Sequence, residues 1–374
     1  MRRKTLLYLS VFLMALLLCT PVMAKTVCKI GSKGYSSLQE AINNVKDGQT
    51  IKVTKSITTD KMVSTWEGEK SNRFTIDFRG KKYTYTGTEE VALALIPVKG
   101  TTAESPAMNV VLKNLNMVRK GSEGKVIQTM NYPGPKRMKV TVKSGRVEGG
   151  QIQVHESATV NIKGGTFVNG SFYLGVSPTG GRGDLNISGG TFQDFRIHSK
   201  GNVTITGGTF TSKDRCIYNE AGGLIIKGGK FTSDHDIIGT KEYSYSHTRI
   251  YNGTFKPGNN SPVLSIMEDA VGIVNGGTFK GFFYSKGKLT ISGGKSTAPV
   301  IVDKDGYCLI KKFTIKQDDA AENAMLINES DTGKFIVTGG KFVSKNGVGY
   351  KGKIIFNTSG DYKKLFDVKK LTEK

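Results

Sequence analysis

Apolar and polar residues alternate in short runs along most of the chain, and each run ends at glycine. The phrase reads VNIKGGTF at 160–167, LNISGGTF at 185–192, VTITGGTF at 203–210 and LIIKGGKF at 224–231. It continues as IYNGTF at 250–255, IVNGGTF at 273–279, LTISGGKS at 289–296 and FIVTGGKF at 335–342. Before the glycines the apolar residues fall two apart, as in Val160 and Ile162 or Leu224 and Ile226. Period two marks a strand with one buried face. The glycines then supply a turn conformation that is costly for residues with side chains. The phenylalanine after the turn points inward again. Stacked units therefore align Phe167, Phe192, Phe210, Phe231, Phe255 and Phe279 into an internal ladder, which Ser296 breaks and Phe342 resumes.

The second glycines stand at 165, 190, 208, 229, 253, 277, 294 and 340, in steps of 25, 18, 21, 24, 24, 17 and 46. The last step holds two units, because KKFTIK at 311–316 supplies a strand without the glycines. A period of this size predicts a solenoid. A second strand per unit shows as QIQVH at 151–155, FRIH at 195–198, RCIYN at 215–219, PVLSI at 262–266 and FFY at 282–284. Near the start, Ser37 and Glu40 form a capping box, and Leu38, Ala41, Ile42 and Val45 share one helical face. A short helix there would cover the open apolar end of the stack, as terminal repeats must. The pattern predicts an all-β, right-handed parallel β-helix with a short N-terminal amphipathic capping helix and turn at 34–48. The repeats are clearest over 140–345. A leucine-rich horseshoe would show an asparagine and helical signature that is absent here, and a propeller blade needs about 40 residues per unit.

The first 24 residues read as a secretory signal peptide rather than as fold. Arg2, Arg3 and Lys4 precede an apolar run from Leu6 to Leu18, and Val22-Met23-Ala24 offers small residues for cleavage. The run is shorter than the roughly 20 residues a spanning helix needs. Leu18 before Cys19 departs from a lipoprotein signal. Residues 25–374 remain as a single domain, and a solenoid of that length is not limited by the size of one compact core. Cys28, Cys216 and Cys308 are an odd, widely spaced set and no disulfide framework, and Cys216 and Cys308, in apolar runs, read as small core residues.

Charge points to a partner. The chain has 54 Lys and Arg against 31 Asp and Glu. The leader takes three basic residues, so the mature balance is 51 − 31 = +20. A secreted protein this basic is drawn to polyanions such as acidic polysaccharide or anionic cell-wall polymer, with no motif for a specific nucleic acid.

GYSSLQEAINNVKDGQTIKV at 34–53, FTIDFRGKKYTYTG at 74–87 and the ISGGTF-type phrases together resemble secreted and cell-surface proteins of Gram-positive bacteria with a pectate-lyase-like β-helix. The resemblance covers most of the mature chain. It implies the fold and leaves the function open, because that superfamily includes lyases, hydrolases, epimerases and non-catalytic adhesins. Its lyases resemble one another in a Trp-Ile-Asp-His run and an Arg-x-Pro-x-x-Arg run, and neither occurs here. Among the polygalacturonase patterns, only Asp318-Asp319 is an echo.

Two sets of residues are candidates for chemistry. Asp194 and Arg196, Asp214 and Arg215, and Asp234 and Asp236 with His235 fall near the start of the second strand in three successive units. Carboxylates one or two coils apart would stand roughly 5 or 10 Å apart, near the spans used by glycosidases. Paired with arginine they would also suit calcium-assisted elimination on a uronate polymer. The bland reading is solvated turn residues, since aspartate favours turns. Otherwise no cofactor is implied. The second set comes from counting back nine residues from the first glycine of five repeats. That count reaches His155, His198, Asn219, Met267 and Tyr284, which would face out beside Glu156, Ser199, Glu220, Glu268 and Ser285. With Tyr243, Tyr245, His247 and Tyr251 of the 242–251 loop, they could hold an extended glycan or be ordinary surface. Arg182-Gly183-Asp184 is a three-residue match of little weight. The leading expectation is a monomeric, non-catalytic binder of acidic polysaccharide, secreted or wall-associated. The alternatives are a polysaccharide lyase or glycosidase, and a structural stalk or adhesin.

Overall fold

The computed structural model describes residues 25–66, 73–88, 90–97, 107–120, 124–129, 138–155, 158–175, 182–258, 260–317, 324–344, 348–356, 366–367 and 371–373. Residues 1–24, which the sequence reads as a leader, and Glu156 and Asp318-Asp319 lie outside these residues. The chain forms a parallel β-helix. One face is a 16-stranded sheet. It is parallel from Thr50–Val53 to Ile354–Phe356 and starts with Lys33–Tyr35 and Cys28–Ile30 paired antiparallel. The strands preceding the glycine pairs all lie here. A second sheet of 26 strands contains two parallel ladders. One is formed by the strands after the glycines, and the other by the second strand of each coil. The two ladders are joined where Thr166–Leu174 and Thr191–Ser199 run through both.

The alternation seen in the sequence is the alternation of burial. Leu185 and Ile187 are fully buried, while Asp184 before them and Asn186 between them face outward. The phenylalanines stack as expected. Ring centroids are 5.0 Å apart for Phe167–Phe192, 4.4 Å for Phe192–Phe210, 4.7 Å for Phe210–Phe231, 4.9 Å for Phe231–Phe255 and 5.0 Å for Phe255–Phe279. Ser296 takes the next rung and Phe342 stands two rungs further on.

Two separate constraints require the glycine pair. Gly229 has φ +114°, a region that penalises any side chain. At the first position, a Cβ on Gly293 would lie 2.2 Å from the Asn275 carbonyl oxygen of the preceding coil. The first glycine thus permits close stacking and the second turns the chain.

Helix α1 (Leu38–Asn44) closes the N-terminal end and buries Leu38, Ala41 and Ile42. The Ser37 hydroxyl accepts the Glu40 N–H at 3.0 Å. The return bond of the expected capping box is shifted by one residue, with the Glu40 carboxylate accepting from Ser36 N–H at 2.7 Å. Among the described residues no helix is long and apolar enough to cross a membrane.

Candidate functional site

The corner between the two ladders of the second sheet changes shape along the molecule. In the strands Thr166–Leu174 and Thr191–Ser199 the bend falls on Asn169 and Asp194, with φ +53° and +49°. Asparagine and aspartate tolerate this left-handed conformation better than other residues with side chains. The preceding coil bends at Gly149-Gly150, also at positive φ. The next coil turns wide, with 213–216 standing between Thr209–Ser212 and Ile217–Asn219. Tight corners beside a wide one leave a trench of about 1120 Å³.

Of the predicted charged set, Asp194, Arg196, Asp214 and Arg215 line this trench, and His198 joins them. Asp234 and Asp236 do not line it. Asp234 is exposed, whereas Asp236 is buried behind Arg215. The carboxylates are tied to cations. Arg196 Nη1 donates to Asp214 Oδ2 at 2.5 Å, and Arg215 Nε to Asp236 Oδ2 at 2.6 Å. Asp194 accepts the Lys213 backbone N–H at 2.8 Å and lies 3.7 Å from Lys213 Nζ.

The outward row on the second strand differs from the one counted in the sequence. The aligned positions are Gln153, Tyr173, His198, Tyr218, Gly239, Ser265 and Tyr284. Asn219 points inward instead and is fully buried. Its Nδ2 donates to the His247 carbonyl at 3.3 Å and to Thr248 Oγ1 at 3.2 Å, so it staples an internal corner and does not face a ligand. The counting failed because the turn leading back to the glycines varies in length between coils. Tyr173 and Tyr218, which it missed, flank His198 edge-on at 5.1 and 5.2 Å. All three rings line the trench. His155 is outside this row and lies 2.9 Å from Gln128.

Two arginines of the trench lining are pinned, Arg215 half-buried and Arg119 buried. Arg215 stacks 5.1 Å from the Tyr218 ring centroid, and a Cβ on Gly239 would come within 2.7 Å of its guanidinium carbon. Arg119 lies 4.9 Å from the Tyr85 ring, and a Cβ on Gly124 would come within 2.3 Å of its Nη2. Aromatic ring and glycine together hold each planar group in one orientation. Arg215 stands out in the sequence beside Asp214, but nothing there marks Arg119.

On the far side of His198, Glu220 accepts from His198 Nε2 at 2.7 Å and from Lys241 Nζ at 2.7 Å, with Lys200 Nζ at 3.3 Å. Burial alone would raise its pKa, but these hydrogen bonds outweigh that effect and bring it down to about 2.

The other predicted residues lie elsewhere. Tyr243 and Tyr245 are 72% and 77% exposed, His247 is exposed on the first face, and Arg249 lies over the Tyr251 ring. None of them reaches the trench. Tyr284 is in the outward row, but its hydroxyl donates to Asp303 Oδ2 at 2.5 Å. Burial and that bond raise it above the ordinary phenol range. Asp184 starts a strand and accepts from Asn202 Nδ2 at 3.1 Å, so the Arg-Gly-Asp match is not a presented loop. Among the described residues no group of three or more His, Cys, Asp or Glu could hold a metal ion. No family model matches the chain, and neither a curated protein nor a solved structure matches it.

Proposed function

We propose that the protein binds an acidic polysaccharide, or a similar anionic polymer of a cell surface, without cleaving it. The observation that carries this reading is the pinning of Arg215 against the Tyr218 ring in a trench that Tyr173 and His198 also line, with Arg119 buried in its wall. A guanidinium fixed in orientation presents planar donors to carboxylate, sulfate or phosphate, and less entropy is lost when the ligand arrives. Aromatic rings offer apolar faces and edges to sugar rings. A position outside the cell, at or near a wall, is supported by the reading of residues 1–24 as a leader and by the resemblance of the repeat phrases to Gram-positive surface proteins. Pairing of Asp194, Asp214 and Asp236 with cations favours binding over acid–base work at these groups.

The test uses immobilised pectate and heparin-like polymer, with unsaturated products followed by ultraviolet absorbance. Arg215→Lys keeps the charge and loses the planar fork. Tyr218→Ala removes the ring beneath it. Each is expected to weaken binding by roughly tenfold, corresponding to about 1.4 kcal/mol. No product is expected. Unchanged binding by both variants would remove the trench from the account. Turnover abolished by Asp214→Asn in a folded protein would replace binding by catalysis.

A further inference from the structure

A second surface begins one coil beyond the trench. On the face whose inner side carries the phenylalanine ladder, six successive coils each present one outward lysine. These are Lys230, Lys256, Lys280, Lys295, Lys316 and Lys341. All six are exposed. They occupy two adjacent columns. Lys230, Lys295 and Lys341 share a column with Thr254, Thr278 and Thr314, while Lys256, Lys280 and Lys316 each stand two residues after one of those threonines. The strands of this strip, Lys230–Ser233, Thr254–Lys256, Thr278–Phe279, Lys295–Ser296, Thr314–Gln317 and Lys341–Ser344, contain no aspartate or glutamate. Chance scatter of lysine on a basic protein does not require one outward lysine on each of six successive coils.

From this strip we infer a docking surface for a linear acidic polysaccharide lying along the axis of the β-helix, one anionic group to each coil. Coils stack roughly 4.8 Å apart, so the strip is straight and spans about 24 Å over five steps. That repeat is on the scale of one sugar residue in an extended chain. Lysine acts as a compact point charge on a flexible stem and makes little demand on the geometry of the anion. The strip therefore reads charge spacing rather than sugar identity. Each exposed contact is weak alone, but several held in line act together on one polymer. Duplex nucleic acid fits poorly, because phosphates on a helical strand wind away from a straight row. The inference stands independently of the trench.

A strip variant carrying Lys230→Gln, Lys256→Gln, Lys280→Gln and Lys295→Gln tests it. A control carries Lys29→Gln, Lys52→Gln, Lys139→Gln and Lys334→Gln on the first face, for the same loss of charge. Both are compared with the parent protein for the salt concentration needed to elute them from pectate and heparin-like columns, and for affinity to duplex DNA. Thermal unfolding checks that both are folded. The strip variant is expected to bind either polysaccharide at least tenfold more weakly, and the control to stay within about twofold. Equal losses would mean that bulk charge acts rather than the strip. Full retention by the strip variant, or duplex DNA bound as tightly as polysaccharide through the same lysines, would also overturn it. Arg215→Lys leaves the strip intact, so failure of the trench and failure of the strip give different patterns.

Discussion

Phe210 has a parallel ring on each side, Phe192 at 4.4 Å and Phe231 at 4.7 Å, and is itself 1% exposed. Both neighbours are held by their own coils, so neither can move in to fill a gap. Phe210→Ala is expected to cost about 3–5 kcal/mol, read from the denaturant midpoint at unchanged slope. A loss below about 1 kcal/mol would mean that the ladder relaxes around the cavity. Where the ladder is naturally interrupted, other residues compensate. The Ser296 hydroxyl donates to the Ala298 carbonyl and accepts its N–H, both at 3.0 Å. Phe283 and Phe313 carry the aromatic contact onward, with Phe279–Phe283 at 4.9 Å and Phe283–Phe313 at 5.6 Å. The cysteines follow the same logic of filling space. Cys28 and Cys216 are buried, and burial pushes both thiols up to about 12, which leaves them protonated and inert.

At the level of elements, ion pairs reinforce the stacking where the outer faces meet the corners. Glu220 ties three coils together, with His198 and Lys200 on one, the carboxylate on the next and Lys241 on the third. Its folded-state pKa of about 2 lies below the ordinary 4.5, so the unfolded chain takes up this proton first as pH falls. The resulting stability is fully present above about pH 4.5 and is lost as pH drops towards 2. Glu220→Gln has no such proton to take up. Its melting temperature is therefore expected to fall less steeply than that of the parent between these pH values, whatever the offset at neutral pH. Parallel curves would show that the three donors do not stabilise the carboxylate.

For the whole molecule, the excess of 54 basic over 31 acidic residues takes two structural forms. The trench holds arginines in fixed orientations, and the strip spreads lysines one to a coil. The two forms respond differently to salt. Exposed lysine contacts are screened strongly, whereas a guanidinium held against a ring and a buried carboxylate is screened less. Retention on acidic polymer is expected to fall steeply between low salt and 0.5 M, where the Debye length is roughly 4 Å, leaving a weaker residue that depends on Arg215. Neutral glucan is expected to be a poor ligand at every salt concentration. Salt-independent binding to a neutral glycan would move the function to the exposed Tyr243 and Tyr245.

What could be read from the chain alone was local. Alternation such as that of Leu185 and Ile187 with polar neighbours, the glycine pair and the following phenylalanine recur in most coils between 160 and 342. Inward direction and turn position depend on a few adjacent residues, so the β-helix, its ladder and its capping helix were legible. The site was legible only in part. Asp194, Arg196, His198, Asp214 and Arg215 could be named, but Asn219 was placed outside when its neighbour Tyr218 belongs there. Arg119, Tyr173 and the lysine strip emerge only when coils are aligned. Coils differ in length, and sequence spacing does not say where the extra residues go. Backbone hydrogen bonds between strands settle the register, and a slip of one residue would turn the buried face outward. That register decides which corners are tight and which are wide. The trench and the row of lysines are consequences of stacking, so they belong to the tertiary structure and to no single repeat.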